Sequence, residues 1–177
     1  MTVDEEFIRK NLNYYSETQG LLPEKLEQYG KKYRDKGYLS REELYQIAYE
    51  SSTRSAHHVK ENSKKHCKEI TRNSLKLEGD LSQIGLITLL KGFKAPTASC
   101  VLAAHNPEKH AVIDTRVWAA LERKNFLEGR KESFKPEDYV KIMKPIREIA
   151  NNINYTPTKV GYALFAYDDK VREGTLH

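Results

Sequence analysis

The residues of this 177-residue chain that could do chemistry are unevenly placed. Seven cations, Arg54, Lys60, Lys64, Lys65, Lys68, Arg72 and Lys76, fall between positions 54 and 76 against only Glu61 and Glu69. That stretch alone carries an excess equal to the whole formal charge of +5. Lys60, Lys64, Lys68, Arg72 and Lys76 recur every fourth residue, so a continuous helix would gather them into one stripe. Like charges at that spacing repel by ~0.2–0.5 kcal/mol per pair. A one-sign stripe with so few acidic neighbours suits the phosphates of a nucleic acid, and the competing reading is a solvated helix face. His57, His58, His66 and Cys67 sit in the same stretch without the spacing of zinc ligands, so no metal site is read there, and nothing calls for a cofactor.

Two further places matter. The turn Leu90-Lys91-Gly92-Phe93-Lys94 joins two apolar helical segments, and the start of the second would offer unpaired amides to a phosphate. Asp114 closes the apolar run Ala111-Val112-Ile113. Taken alone, it reads as the N-cap of a helix beginning at Thr115.

Composition narrows the classes. Cys67 and Cys100 are the only cysteines, too few for a disulfide scaffold, a four-cysteine cluster or a Cys₄ zinc site. No apolar run approaches the ~18 residues of a membrane span. The opening Met1-Thr2-Val3-Asp4-Glu5-Glu6 is acidic and unlike a signal peptide, so a cytoplasmic protein is expected.

The elements that must position these residues read as helices throughout. Phe7, Ile8, Leu12 and Tyr15 recur at helical spacing, and Pro23 opens a second helix with Leu26, Tyr29 and Tyr33. Glycines fall between segments, Gly20 and Gly37 among them. Ser40-Arg41-Glu42-Glu43 is a capping box. Pro136 opens a long helix with Tyr139, Ile142, Met143, Ile146, Ile149 and Ile153 on one face. Thr156-Pro157 starts the last helix, which runs through Tyr167. Strand signals are nearly absent, and the fold expected is all-α.

The segment from Ile84 to Leu121 resembles the helix-hairpin-helix superfamily of base-excision DNA glycosylases. Leu90, Gly92 and Phe93 match its hairpin, and Asp114 falls on its catalytic aspartate. The 8-oxoguanine branch is locally most similar: Cys100 matches a cysteine of the hairpin helix, and Trp118 matches a tryptophan four residues after the aspartate. Tyr162 to Asp168 is also similar to the family's last helix.

The resemblance implies one helical domain with two sub-lobes around a cleft. The central lobe would span about 40–121 with the hairpin at 84–102, and helices 1–36 and 136–168 would pack as the second lobe. It implies a monomeric enzyme on double-stranded DNA, with base flipping and hydrolysis of the N-glycosidic bond of a damaged or modified base. Asp114 would stabilise the cationic sugar. Gly92, Phe93, Lys94, Ala95 and Thr97 would hold phosphate, with Arg54, Lys60, Lys64, Lys68 and Arg72 adding backbone contacts. Cys100, Trp118, Tyr162 and Phe165 would shape the base pocket; a buried structural thiol is the equal alternative for Cys100, and the core is the leading alternative for Tyr162 and Phe165.

Two departures bear on mechanism. Lys94 stands where the hairpin has a second glycine, so a positive φ would be strained there. Pro96 stands where bifunctional members carry their Schiff-base lysine, so a monofunctional enzyme is expected. Lys94 lies two residues away and faces differently. The substrate would be an oxidised purine or a modified pyrimidine, including bulky modifications of phage DNA, in repair or in defence. The rivals are a nucleic-acid-binding hairpin module without catalysis and a helical adaptor for an acidic partner.

Overall fold

The computed structural model describes residues 2–19 and 22–172, which places Gly20 outside the described residues. The helices are α1 (Glu5–Gln19), α2 (Leu22–Lys36), α3 (Arg41–Ser51), the short turn α4 (Thr53–Ala56), α5 (Lys64–Ser74), α6 (Asp80–Ile87), α7 (Ala95–His105), α8 (Thr115–Arg123), α9 (Pro136–Ile153) and α10 (Pro157–Val171), with a 3₁₀ segment at His57–Glu61. No strand occurs among the described residues. No helix among them is long and apolar enough to cross a membrane.

The starts of these helices follow from their caps. Ser40 accepts from the Glu43 amide while Glu43 accepts from the Ser40 amide, a complete capping box. Asp114 and Thr156 each cap the following helix through their side chains. The face of α9 that carries Tyr139, Ile142, Met143, Ile146 and Ile149 is buried, as its periodicity requires.

The basic stretch is where the four-residue spacing misleads. Lys60 belongs to the 3₁₀ segment, the chain turns extended at Asn62, and Ser63 caps a fresh helix that begins at Lys64. The buried Asn62 side chain holds this break: its amide donates to the carbonyls of Val59 and Lys91, and its oxygen accepts from the Lys91 amide. Arg54 and Lys60 therefore lie off the helix of Lys64, Lys68 and Arg72, and Lys76 lies beyond its end.

Packing also redraws the lobes. α1 and α10 lie together, with the rings of Phe7 and Tyr167 at 5.0 Å, and α10 further packs on α8 and α9. α2, by contrast, packs on α7 of the central group. Gly30 allows it: a Cβ there would fall 1.9 Å from the Ala104 carbonyl oxygen, so only a glycine admits this approach. Arg34 then donates to the carbonyls of Ala104 and His105 at the end of α7.

At the start of α6, Arg147 of α9 grips Asp80 through two nitrogens and donates twice to the Lys109 carbonyl. His110 is buried, and its Nδ1 lies 2.8 Å from the Tyr139 hydroxyl. Burial holds that imidazole down to about 4, so it is neutral near pH 7. These contacts anchor the segment that leads into Asp114.

Candidate active site

The approach to Asp114 is built by α7. Ser99 of α7 accepts from the Ile113 amide at 3.0 Å and donates to the Pro96 carbonyl, tying the apolar run to the helix. Gly161 of α10 meets the same run from the other side: a Cβ there would touch Ala111 at 3.1 Å. The chain then turns into α8, and Asp114 Oδ1 accepts from the Val117 amide at 2.8 Å.

Asp114 is both a cap and a cleft residue. It lines a cleft of about 740 Å³ together with Tyr15, Cys100, Tyr162 and Phe165, with Arg54, Lys94, Pro96 and Thr97 also on its walls. That volume lies in the range that encloses a small-molecule ligand. Burial raises the Asp114 carboxyl to about 6, against the pull of the Val117 and Arg116 amides and the Arg116 charge. Such a carboxylate is poorly solvated and faces open space, a combination suited to stabilising a developing cation.

The cleft's aromatic wall comes from both ends of the chain. Tyr15 of α1 stacks on Tyr162 of α10 at 4.8 Å and 19°, and meets Phe165 edge-on at 5.7 Å. Nothing in the sequence marks Tyr15 for this role, since one tyrosine on an apolar helical face signals only core. Cys100 is buried, and its thiol is pushed up to about 12 by burial, so it is a neutral wall and no nucleophile near pH 7.

Trp118 is placed elsewhere. It does not line the cleft; it is 6% exposed, and its indole donates to the Gly129 carbonyl at 2.6 Å. Its ring packs on Phe134 at 6.0 Å, and Phe134 does line the cleft. Trp118 thus braces the loop after α8, whose residues 132–135 form a wall that no motif announces.

In the hairpin, Gly92 has φ +87° and lies so close to Val59 and the Ser55 carbonyl that a Cβ would clash. Lys94 is extended at φ −99°, so it carries no strain where a second glycine was the reference. The side chains of Phe93 and Ala95 are buried, and the Phe93 amide closes the turn on the Leu90 carbonyl. That amide is therefore occupied and cannot hold a phosphate, contrary to the expectation for Phe93. The Gly92 and Lys94 amides donate to no protein group among the described residues. Thr97 is buried, with its hydroxyl 3.3 Å from that of Ser51.

The remaining cations divide. Arg54 is exposed and lines the cleft, whereas Lys60, Lys64, Lys68 and Arg72 do not. Lys64 lies 3.6 Å from Glu42, and Lys60 sits over the Tyr45 ring at 4.4 Å. Lys68 and Arg72 both lie over the Tyr38 ring, at 5.1 and 5.2 Å. No group of three or more His, Cys, Asp or Glu side chains among the described residues is placed to hold a metal.

No family model matches the chain, and no curated protein matches it in sequence. Among solved structures, it is similar to the Methanocaldococcus jannaschii 8-oxoguanine glycosylase/lyase, crystallised with a 15mer DNA containing 8-oxoguanine. The TM-score is 0.52 at 17% identity, over 96% of this chain and 93% of that one. The chain therefore has an all-α, helix-hairpin-helix DNA glycosylase-like fold.

Proposed function

We propose that the chain is a monofunctional DNA glycosylase that hydrolyses the N-glycosidic bond of a damaged or modified base in duplex DNA. The observation that carries this reading is Asp114, a carboxyl raised to about 6 that faces an aromatic-walled cleft beside the start of α7. As the base departs, positive charge builds on the sugar, and the ionised carboxylate offsets it where solvent screens least. The same group can orient the attacking water. The base, turned out of the stack, would lie against Tyr15, Tyr162 and Phe165. Backbone amides at Gly92 and Lys94, with Arg54, would hold the flanking phosphates.

Pro96 supports hydrolysis without a covalent imine, since it lines the cleft and has no side-chain nitrogen to attack the sugar. The cleft is large enough for a bulky modification as well as an oxidised purine, so repair and defence against modified phage DNA both fit. The enzyme would act as a monomer in the cytoplasm. The reading of a non-catalytic hairpin module is favoured by Pro96 alone, whereas the open cleft before Asp114 favours catalysis.

The test is incubation with duplexes that each carry one modified base, followed by alkali to reveal abasic sites. Alkali-dependent cleavage at one modified base supports the proposal. Tight binding to duplexes without base release from any of them supports the module.

A further inference from the structure

Arg116 stands two residues beyond Asp114 on the first turn of α8, and its charge is felt at that carboxyl. Its guanidinium is nevertheless turned to α10. Nη1 lies 2.9 Å from Asp169 Oδ1 and 3.9 Å from Asp168 Oδ2, and the group sits over the Phe165 ring at 5.3 Å. The Tyr14 hydroxyl donates to the other Asp169 oxygen at 3.4 Å. Asp168 is fully buried and is engaged by Arg123 at 3.3 Å and Arg172 at 2.5 Å. Asp169 is thus the nearer of the two carboxylates that hold Arg116, and Asp168 is shared with two further arginines.

We propose that Asp169 is a positioning residue that keeps the Arg116 guanidinium off Asp114, leaving the Asp114 charge open to the cleft. The proposal rests on the catalytic reading of Asp114. A carboxylate closed into an ion pair presents little net charge to a cationic sugar, so an arginine this near must be restrained for Asp114 to work. Phe165 supplies a face for the guanidinium, which is weakly hydrated and stacks well on aromatic rings.

The other groups that face Asp114 leave the argument intact. Tyr15 of α1 and Cys100 of α7 are both held neutral by burial. Asp168 of α10 acts on Asp114 in the opposite sense to Arg116. Of the charged residues on the cleft walls, Glu50 is paired with Lys25 and Glu132 with Arg130, and Arg54, Lys94 and Lys135 are exposed.

The experiment compares Asp169→Asn with the double variant Asp169→Asn/Arg116→Met. In the single variant, Arg116 turns to Asp114. Single-turnover base release then slows at least tenfold, duplex affinity stays within twofold, and the acid limb of the rate profile moves to lower pH. In the double variant no guanidinium remains to turn; the rate recovers and the acid limb moves above that of the parent. A merely structural ion pair gives a double variant as slow as the single, with no movement of the limb. That result, or an unslowed Asp169→Asn, overturns the proposal.

A carboxyl titration of Asp114 by NMR gives the same answer without turnover. The midpoint falls below about 6 in Asp169→Asn and rises again in the double variant. An unmoved midpoint overturns the proposal. Failure of the glycosylase reading looks different, because the parent protein would then release no base from any duplex.

Discussion

The ring of Tyr15, on the first helix, lies 4.8 Å from that of Tyr162, on the last, in a near-parallel stack. Both rings line the cleft that Asp114 faces. Tyr15→Phe keeps the stack and should leave base release within about twofold. Tyr15→Leu removes the flat surface and should slow release at least tenfold, with binding to unmodified duplex unchanged. Aromatic contacts with bases are worth roughly 1–3 kcal/mol each. Normal release by Tyr15→Leu would take the stacked pair out of the base pocket.

Asp114→Asn should abolish base release while duplex affinity stays equal or tightens, since the amide keeps the shape but cannot balance a cation. It should also stabilise the protein. A carboxyl raised to about 6 by burial favours the protonated folded state, so ionisation erodes stability as pH rises from the unfolded value through 6. Above that pH the variant should gain up to about 3 kcal/mol over the parent, and near pH 4 the gain should vanish. Urea unfolding at the two pH values measures it. Full activity in the variant ends the catalytic assignment.

Charge contacts should separate by position. Arg54→Ala, on the cleft, should weaken binding to every duplex and reduce the slope of log affinity against log salt by ~0.9. Lys68→Ala/Arg72→Ala should reduce it by ~1.8 if α5 also meets phosphates. Lys64→Ala should do less, because Glu42 already offsets that charge. A slope unmoved by the Lys68 and Arg72 changes would make α5 a solvated face that rests on Tyr38.

With Pro96 on the cleft wall, base release should leave an intact abasic site, and strand cleavage should require added alkali or heat. Borohydride should trap no covalent protein–DNA adduct. Lys94 is exposed on the same cleft and is the amine to check. An adduct that disappears in Lys94→Ala would overturn the monofunctional mechanism.

Local chemistry was legible in the sequence wherever one short segment decides the outcome. Ser40, Asp114 and Thr156 each satisfy amides of the turn that follows them, so their helix starts are written within four residues. The apolar period of α9 was legible for the same reason. The break at Asn62 was not, because its cause is the turn around Lys91, far along the chain. Residues spaced by four suggested one helix, and a tertiary hydrogen-bond set divided it. Trp118 lies off the expected pocket for a similar reason: its partner Gly129 belongs to a segment without periodicity. Tyr15 joins the cleft only through the packing of α1 on α10, which no local pattern encodes.

That packing has a consequence for synthesis. α1, which supplies Tyr15, is translated well before α10, which supplies its partners Tyr162 and Phe165. The wall of the cleft therefore cannot close on a nascent chain. Until α10 emerges, α1 has no α10 to cover its apolar face, and Asp114 stands beside an unfinished pocket. A polypeptide that ends before α10 would keep its hairpin yet lack the wall against which the proposed function holds a base. On the proposed function, termination before α10 should thus yield fragments that release no base.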